Sequence, residues 1–390
     1  MSAVILSAAR TPVGSFGGSL ASVPAPALGA TAIRAALERA GISPEHVDEV
    51  LMGCVVSAGV GQAPARQAAL GAGLPEAVPC MTVNKVCGSG MKTVLLADQA
   101  IRAGDAAVVV AGGMENMSQA PFLLDKARYG YGYGNAQLID ALFHDGLRDA
   151  YDGNAMGVAA DRCAETCNVP RERQDAFTAE SYRRAQASVE QGRFADEIVP
   201  VTVTTRKGET VVDRDEEPFK TVFDKIPTLR PVFTKDGTVT AANASTINDG
   251  AAALVVASQA WAEAHGRTPL ARIVATAQHA QKPVEFTTAP IEAIRKVLAK
   301  AGLALADIDL FEINEAFAVV ALAAQDALGI PHEKLNVHGG AVAVGHPIGA
   351  SGARILTTLL HAMRQRDARR GLAAICIGGG EATAIVVERG

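Results

Sequence analysis

Val86-Cys87-Gly88-Ser89-Gly90-Met91 sets a cysteine among glycines just ahead of an apolar-periodic run, Met91, Val94, Leu95 and Ile101, which predicts a helix. A thiol at a helix N-terminus meets unpaired N–H groups and the positive end of the dipole, so Cys87 is expected to ionise more easily than a free cysteine. The thiolate is the nucleophilic form, and flanking glycines would let a carbonyl approach the backbone. A small core cysteine at a tight strand–helix turn is the competing reading, because free cysteine is among the most buried residue types. His346 lies in Gly345-His346-Pro347-Ile348-Gly349-Ala350-Ser351-Gly352, a turn where an imidazole is better explained as an acid/base than as packing. Cys376 closes an apolar run at Cys376-Ile377-Gly378-Gly379-Gly380, and Asn314-Glu315 follows the apolar run Leu310–Ile313. A capping role is open for the Asn-Glu pair, and a cysteine in a buried strand is ordinary. Together these residues describe covalent acyl transfer: a nucleophilic thiolate, a histidine base, a second thiol to shuttle a proton, and backbone N–H groups for an oxyanion. Glu115 and Glu381, each just after a glycine corner, are read as structural hydrogen-bonding residues.

The elements that must hold these groups form a repeated grammar. In the front part a helix over 27–40 ends at Gly41, a strand follows near 48–56, and the Cys87 helix comes next. The strand 106–111 then closes at Gly112-Gly113-Met114-Glu115. The last third repeats the order, with a helix over 290–301 ending at Gly302, a strand near 308–313 and a glycine-rich turn opening a helix at 345–364. Pro347 suits that helix's first turn, and the strand 373–377 closes at the glycines before Glu381. In the back copy the corner runs straight into 382–387 as a hairpin partner. In the front copy the matching strand is 250–256, so a long segment of different composition is inserted in that hairpin. Alternating strands and helices of this kind specify layered α/β architecture, and an insertion over a pseudo-symmetric interface makes a lid or binding wall.

The chain has 390 residues, too many for one simple core. It is 49% hydrophobic with 38 glycines and 4% aromatics, which suits elements packed closely through small side chains. A net charge of −5 argues against nucleic acid or an anionic membrane as a general partner. No apolar run is long enough to span a bilayer. The six cysteines show no C-x-x-C pair and no disulfide spacing, so a reducing cytoplasm is expected.

Asn84–Met91, Gly113–Ser118, Asn243–Gly250, Asn314–Ala318, Gly345–Gly352 and Cys376–Gly380 are spread over nearly the whole chain. In this order they resemble the thiolase family, and within it the acetyl-CoA C-acetyltransferases. The resemblance implies a duplicated thiolase fold, five-layered α-β-α-β-α with an inserted loop domain. Its boundaries are 1–118 with 249–270 for the N-terminal half, 119–248 for the CoA-binding loop domain, and 271–390 for the C-terminal half. It implies Claisen condensation of two acetyl-CoA molecules to acetoacetyl-CoA and the reverse thiolysis, ping-pong through S-acetyl-Cys87. A broader-chain 3-ketoacyl-CoA thiolase of degradative metabolism is the alternative. By the resemblance His346 takes the Cys87 proton and Cys376 handles the acetyl methyl proton. Asn314 holds a water that makes one oxyanion hole with His346, and the N–H groups of Cys87 and Gly378 make the other. Ser245 would contact the pantetheine, with Tyr182 and Lys225 toward the nucleotide and Lys220 and Arg230 near its phosphates. Coenzyme A enters as substrate and no tightly bound cofactor is implied. A potassium ion would sit at Tyr182, Ala241, Ala242, Ala244 and Val342. A homotetramer, built as a dimer of dimers, is the expected assembly. The chain departs from the family at Ala155, where a histidine is common, and at Glu381-Ala382, where Met-Gly is commoner.

Overall fold

The structure, a computed structural model, describes residues 2–206 and 208–390. The N-terminal half comprises β1 (Ala3–Arg10), α1 (Ala25–Ala40), β2 (Glu49–Gly53), α2 (Pro64–Gly71), β3 (Cys80–Val83), α3 (Ser89–Ala103) and β4 (Val108–Asn116). Residues 117–247 then intervene, carrying α4 (Met156–Thr166) and α5 (Arg171–Glu190), before β5 (Asn248–Ser258) returns beside β4. The C-terminal half follows the same order: β6 (Ala271–Ala280), α6 (Ala289–Ala301), β7 (Leu310–Ile313), α7 (Ala318–Leu328), α8 (Ser351–Gln365), β8 (Arg370–Ile377) and β9 (Glu381–Glu388). In place of β3 this half has a single parallel bridge, Phe311 to Leu335.

The strands join in the order β7-β8-β9-β6-β1-β5-β4-β2-β3. β2 runs parallel to β3 and β4, and β7 parallel to β8, whereas β4–β5 and β8–β9 are antiparallel. The halves meet at a short seam, Val4 to Arg272 and Ile5 to Ala271. Helix α1 ends at Gly41 and α6 at Gly302, each with φ in the left-handed region that glycine supplies without strain. Small residues let α1 lie on the outer face of the front sheet, and α6 and α7 cover the outer face of the back sheet. Between the sheets, α3 and α8 pack on each other through Met91, Val94, Leu95, Ile355 and Leu359, all buried. That stack is the five-layered α-β-α-β-α fold.

Two local expectations are corrected. Gly112 and Gly113 are no corner: β4 continues through them to Asn116, paired with β5 from Val108 to Asn116. The glycine at 113 is required from the other half, since a Cβ there would lie 2.1 Å from the Gly349 carbonyl oxygen. Helix α8 begins at Ser351 and not at Gly345, because residues 345–350 form a separate turn after the short helix Ala341–Val344. Pro347 therefore precedes the helix, and its carbonyl accepts the N–H groups of Ala350 and Ser351. Among the described residues no helix is long and apolar enough to cross a membrane.

Candidate active site

β3 leads into a turn that over-determines the position of Cys87. The Val86 N–H donates to Asn84 Oδ1 (3.0 Å), the Lys85 N–H to Ser89 Oγ (2.8 Å), and the Ser89 hydroxyl to the Val86 carbonyl (2.7 Å). Within this net Val86 is held at φ 45°, a left-handed conformation that a β-branched residue adopts only when its surroundings impose it. Gly88 gives no room to a ligand: a Cβ there would lie 2.4 Å from Ile377 Cδ1, so its lack of side chain lets the Cys376–Gly378 strand end close against the turn. An ion pair between Lys85 and Glu381 ties the same two segments at the surface.

Cys87 lines a cavity of about 270 Å³ together with His346, Ser245, Ala244, Ala155 and Gly378. Apolar side chains close its walls, notably Phe143, Phe233, Phe286, Met117 and Met156. Helix α3 starts two residues beyond Cys87, and burial outweighs the nearby amides. The thiol is pushed up to about 11, with the Gly378 and Cys87 backbone N–H groups offsetting only part of the desolvation. The expectation of an easily ionised thiol is thereby corrected for the free protein.

His346 is oriented from three sides. Its backbone N–H donates to Asn248 Oδ1 (2.8 Å). Its Nδ1 lies 2.5 Å from Ser351 Oγ, and that hydroxyl is 2.8 Å from the Pro347 carbonyl. A carbonyl can only accept, so Ser351 donates to Pro347 and receives the imidazole Nδ1–H. Nε2 is left unprotonated, buried and without a protein partner among the described residues. Burial, helped by the positive charge of Arg354, pushes His346 down to about 3, so the imidazole rests neutral. The turn itself is stapled to the front half by Glu115, whose carboxyl accepts the Val55, Val56 and Gly349 N–H groups at 3.0, 3.2 and 2.8 Å. Burial raises that carboxyl to about 7 against the three amides.

Cys376 and Asn314 are fully buried and do not line the cavity. Burial lifts the Cys376 thiol well above its ordinary value, and the charge of a Cys87 thiolate adds to the effect. Asn314 Oδ1 faces the Arg354 guanidinium at 3.5 Å, whereas its Nδ2 has no partner among the described residues. A buried amide donor and a buried imidazole acceptor both left open mark groups that a substrate or water is meant to satisfy.

Of the residues assigned to CoA, only Ser245 reaches this cavity. Its loop is tied to the Asn314 segment by the Ser245 N–H on the Ala316 carbonyl (3.0 Å). Lys225 and Arg230 are exposed outside the cavity, and Lys220 is engaged by Ser15 and Glu217. Tyr182 is buried on α5, raised to about 12 by burial and by Glu217 and Glu315. Ala241 is exposed and Ala242 buried in their loop, and Val342 is buried with its N–H on Glu315 (3.2 Å). Ser351, Asn248 and the bridging role of Glu115 escaped the reading of the sequence. Ser351 sits inside the histidine motif, and its five-residue spacing from His346 was the available signal.

Two family models account for nearly the whole chain. The thiolase N-terminal domain matches residues 3–260 and the thiolase C-terminal domain residues 267–389. The chain belongs to the thiolase family. This thiolase is 56% identical over 388 residues to an acetyl-CoA acetyltransferase of Escherichia coli K12, covering 99% of the chain and 98% of the relative. It is 54% identical over 387 residues to an acetyl-CoA acetyltransferase of Schizosaccharomyces pombe, covering 99% and 98%. A probable acetyl-CoA acetyltransferase of Dictyostelium discoideum is 53% identical over 389 residues, covering 100% of the thiolase and 94% of the relative.

Proposed function

We propose that this thiolase is an acetyl-CoA C-acetyltransferase that condenses two acetyl-CoA molecules to acetoacetyl-CoA and catalyses the reverse thiolysis. One observation carries the reading: Cys87 and a neutral His346 with an open Nε2 share one small cavity. Cys87 sulfur attacks the thioester carbonyl as its proton passes to Nε2, and the N–H groups of Cys87 and Gly378 receive the oxyanion. The departing CoA thiolate takes that proton from the imidazole and leaves S-acetyl-Cys87. For condensation the Cys376 proton passes to Nε2, and the resulting thiolate removes a methyl proton from the second acetyl-CoA. Burial makes that thiolate a strong base, which a C–H proton demands. The enolate oxygen is held by the imidazolium and by a water on Asn314. The new C–C bond displaces the Cys87 sulfur, which recovers its proton from His346.

The test is thiolysis of acetoacetyl-, 2-methylacetoacetyl- and longer 3-ketoacyl-CoA by wild type and Cys87→Ser. Wild type is expected to cleave the four-carbon substrate best and to carry labelled acetyl on Cys87. Label on Cys376 would overturn the roles, and a preference for long chains would favour the degradative reading. Ala155 leaves the wall beside Met156 open where the family commonly places a histidine, so the 2-methyl substrate reports on that space.

Potassium belongs to the proposal as an activating ion at Tyr182, Ala241, Ala242, Ala244 and Val342. The donor chemistry fits, because the Tyr182 hydroxyl has no hydrogen-bond partner among the described residues and two carboxylates, Glu217 and Glu315, lie near it. Equal rates and equal Tm in sodium and potassium buffers would remove it. A homotetramer and a cytoplasmic location complete the reading. Exposed Phe122, Tyr129, Tyr133 and Leu138 on the loop domain support self-association, and sedimentation measures it.

A further inference from the structure

The ends of α5 and α8 and the segment 336–340 enclose a second cleft of about 500 Å³, independent of the reading above. Arg193 and Arg366 both line it, and no carboxylate does among its described lining residues. Neither guanidinium is given a hydrogen bond or an ion pair by the described residues, whereas neighbouring Arg184 is neutralised by Glu180 at 2.8 Å. The charges are felt: burial, then Arg193 and Arg184, lower the affinity of Arg366 for its proton. A helix C-terminus favours one cation, but it does not explain two unpaired guanidinia facing one space. His338 supplies the independent observation. It is 1% exposed and lines the same cleft beside Gln365, with Nδ1 3.1 Å from Ser188 Oγ and Nε2 short of a well-formed partner among the described residues. An oxyanion at Nε2 selects the tautomer in which Ser188 donates to Nδ1 and Nε2 carries the ring proton.

We propose that this cleft is a binding site for a phosphate-bearing small molecule, its phosphate held by Arg193, Arg366 and His338. Two planar guanidinium forks and a neutral N–H match a tetrahedral dianion, whereas a single carboxylate would satisfy only one fork. The volume leaves room for the group that the phosphate is attached to. Unpaired like charges and a buried ring nitrogen short of a partner are costly in this cleft, and one bound dianion relieves both.

The test is ligand-dependent Tm of the full-length protein at constant ionic strength, with inorganic phosphate, glycerol 3-phosphate and malonate as probes. Wild type is expected to gain Tm with both phosphates, more with the ester, and not with malonate. Arg366→Gln and Arg193→Gln should each weaken the phosphate effect about tenfold, the loss of one charge-assisted contact. Arg366 is exposed and relieved of repulsion by this change, so its variant should be at least as stable as wild type without ligand. An equal phosphate response in wild type and both variants, or none in wild type, overturns the proposal. A malonate effect as large as that of phosphate overturns the ligand class. KM for CoA should be unchanged in both variants, and a raised KM would place the cleft within the substrate site and overturn a separate one.

Discussion

Ser351→Ala isolates the contribution of tautomer control to this active site. The substitution removes the hydroxyl that receives the His346 Nδ1–H at 2.5 Å and leaves the imidazole buried. A buried donor without a partner costs about 1–3 kcal/mol. Water or substrate in the cavity can pair with a proton on Nε2, so the ring escapes that cost by carrying its proton there, on the nitrogen that must accept the Cys87 proton. Restoring the productive tautomer then costs about the same amount, so kcat/KM for acetoacetyl-CoA thiolysis should fall about 5- to 150-fold. The lost contact to the Pro347 carbonyl adds about 1 kcal/mol of destabilisation, too little to unfold the protein. Steady-state kinetics gives the first number and thermal denaturation the second, while nitrogen NMR of the imidazole reads the tautomer directly. A variant with kcat/KM within about twofold of wild type, or a ring still protonated on Nδ1, refutes the reasoning.

Three further outcomes follow from the same geometry. Alkylation of Cys87 by iodoacetamide should keep accelerating as pH rises above 9, toward the thiol's value of about 11, and a plateau near neutrality would contradict burial as the dominant influence. Folded Glu115 holds its proton up to about pH 7 while an unfolded glutamate releases it near 4.5, so its stabilising contribution is complete below 4.5 and is lost as pH rises through 7. Glu115→Gln should remove about 3 kcal/mol of that slope, seen as a flatter Tm profile between about pH 5 and 7. Gly113→Ala drives a methyl into the Gly349 carbonyl, so both Tm and kcat should fall, the latter because Gly349 belongs to the histidine turn.

The reacting groups were legible because each lies in a short, unusual local pattern: a cysteine between glycines, a histidine in a glycine-rich turn. The duplication was legible for a related reason, since α1 and α6 both end at a left-handed glycine. What the pattern hid was contact between distant segments. Nothing around Glu115 announces that its partner is the Gly349 amide in the other half, and Gly112-Gly113 looked like a corner because its reason for lacking a Cβ lies 236 residues away for Gly113. The acidity of Cys87 was misjudged for the same cause. A helix terminus is visible in one dimension, whereas desolvation by walls that include His346, Ile348 and Gly378 of the opposite half is a property of the assembled layers.

The position of residues 117–247 has a consequence for how this scaffold diversifies. The excursion leaves the framework at Asn116 and returns at Asn248, and Asp249 is already in register with Asn116. Its two ends are therefore pinned side by side by strand pairing that continues down to Val108. Lengthening, trimming or exchanging the excursion leaves the spacing of its ends unchanged and adds little loop-closure entropy. The nucleophile and the imidazole are held by the five-layered framework, while much of the cavity wall around them belongs to the exchangeable cassette. Selection, or a designer, can thus graft a new recognition surface onto an unaltered reaction centre.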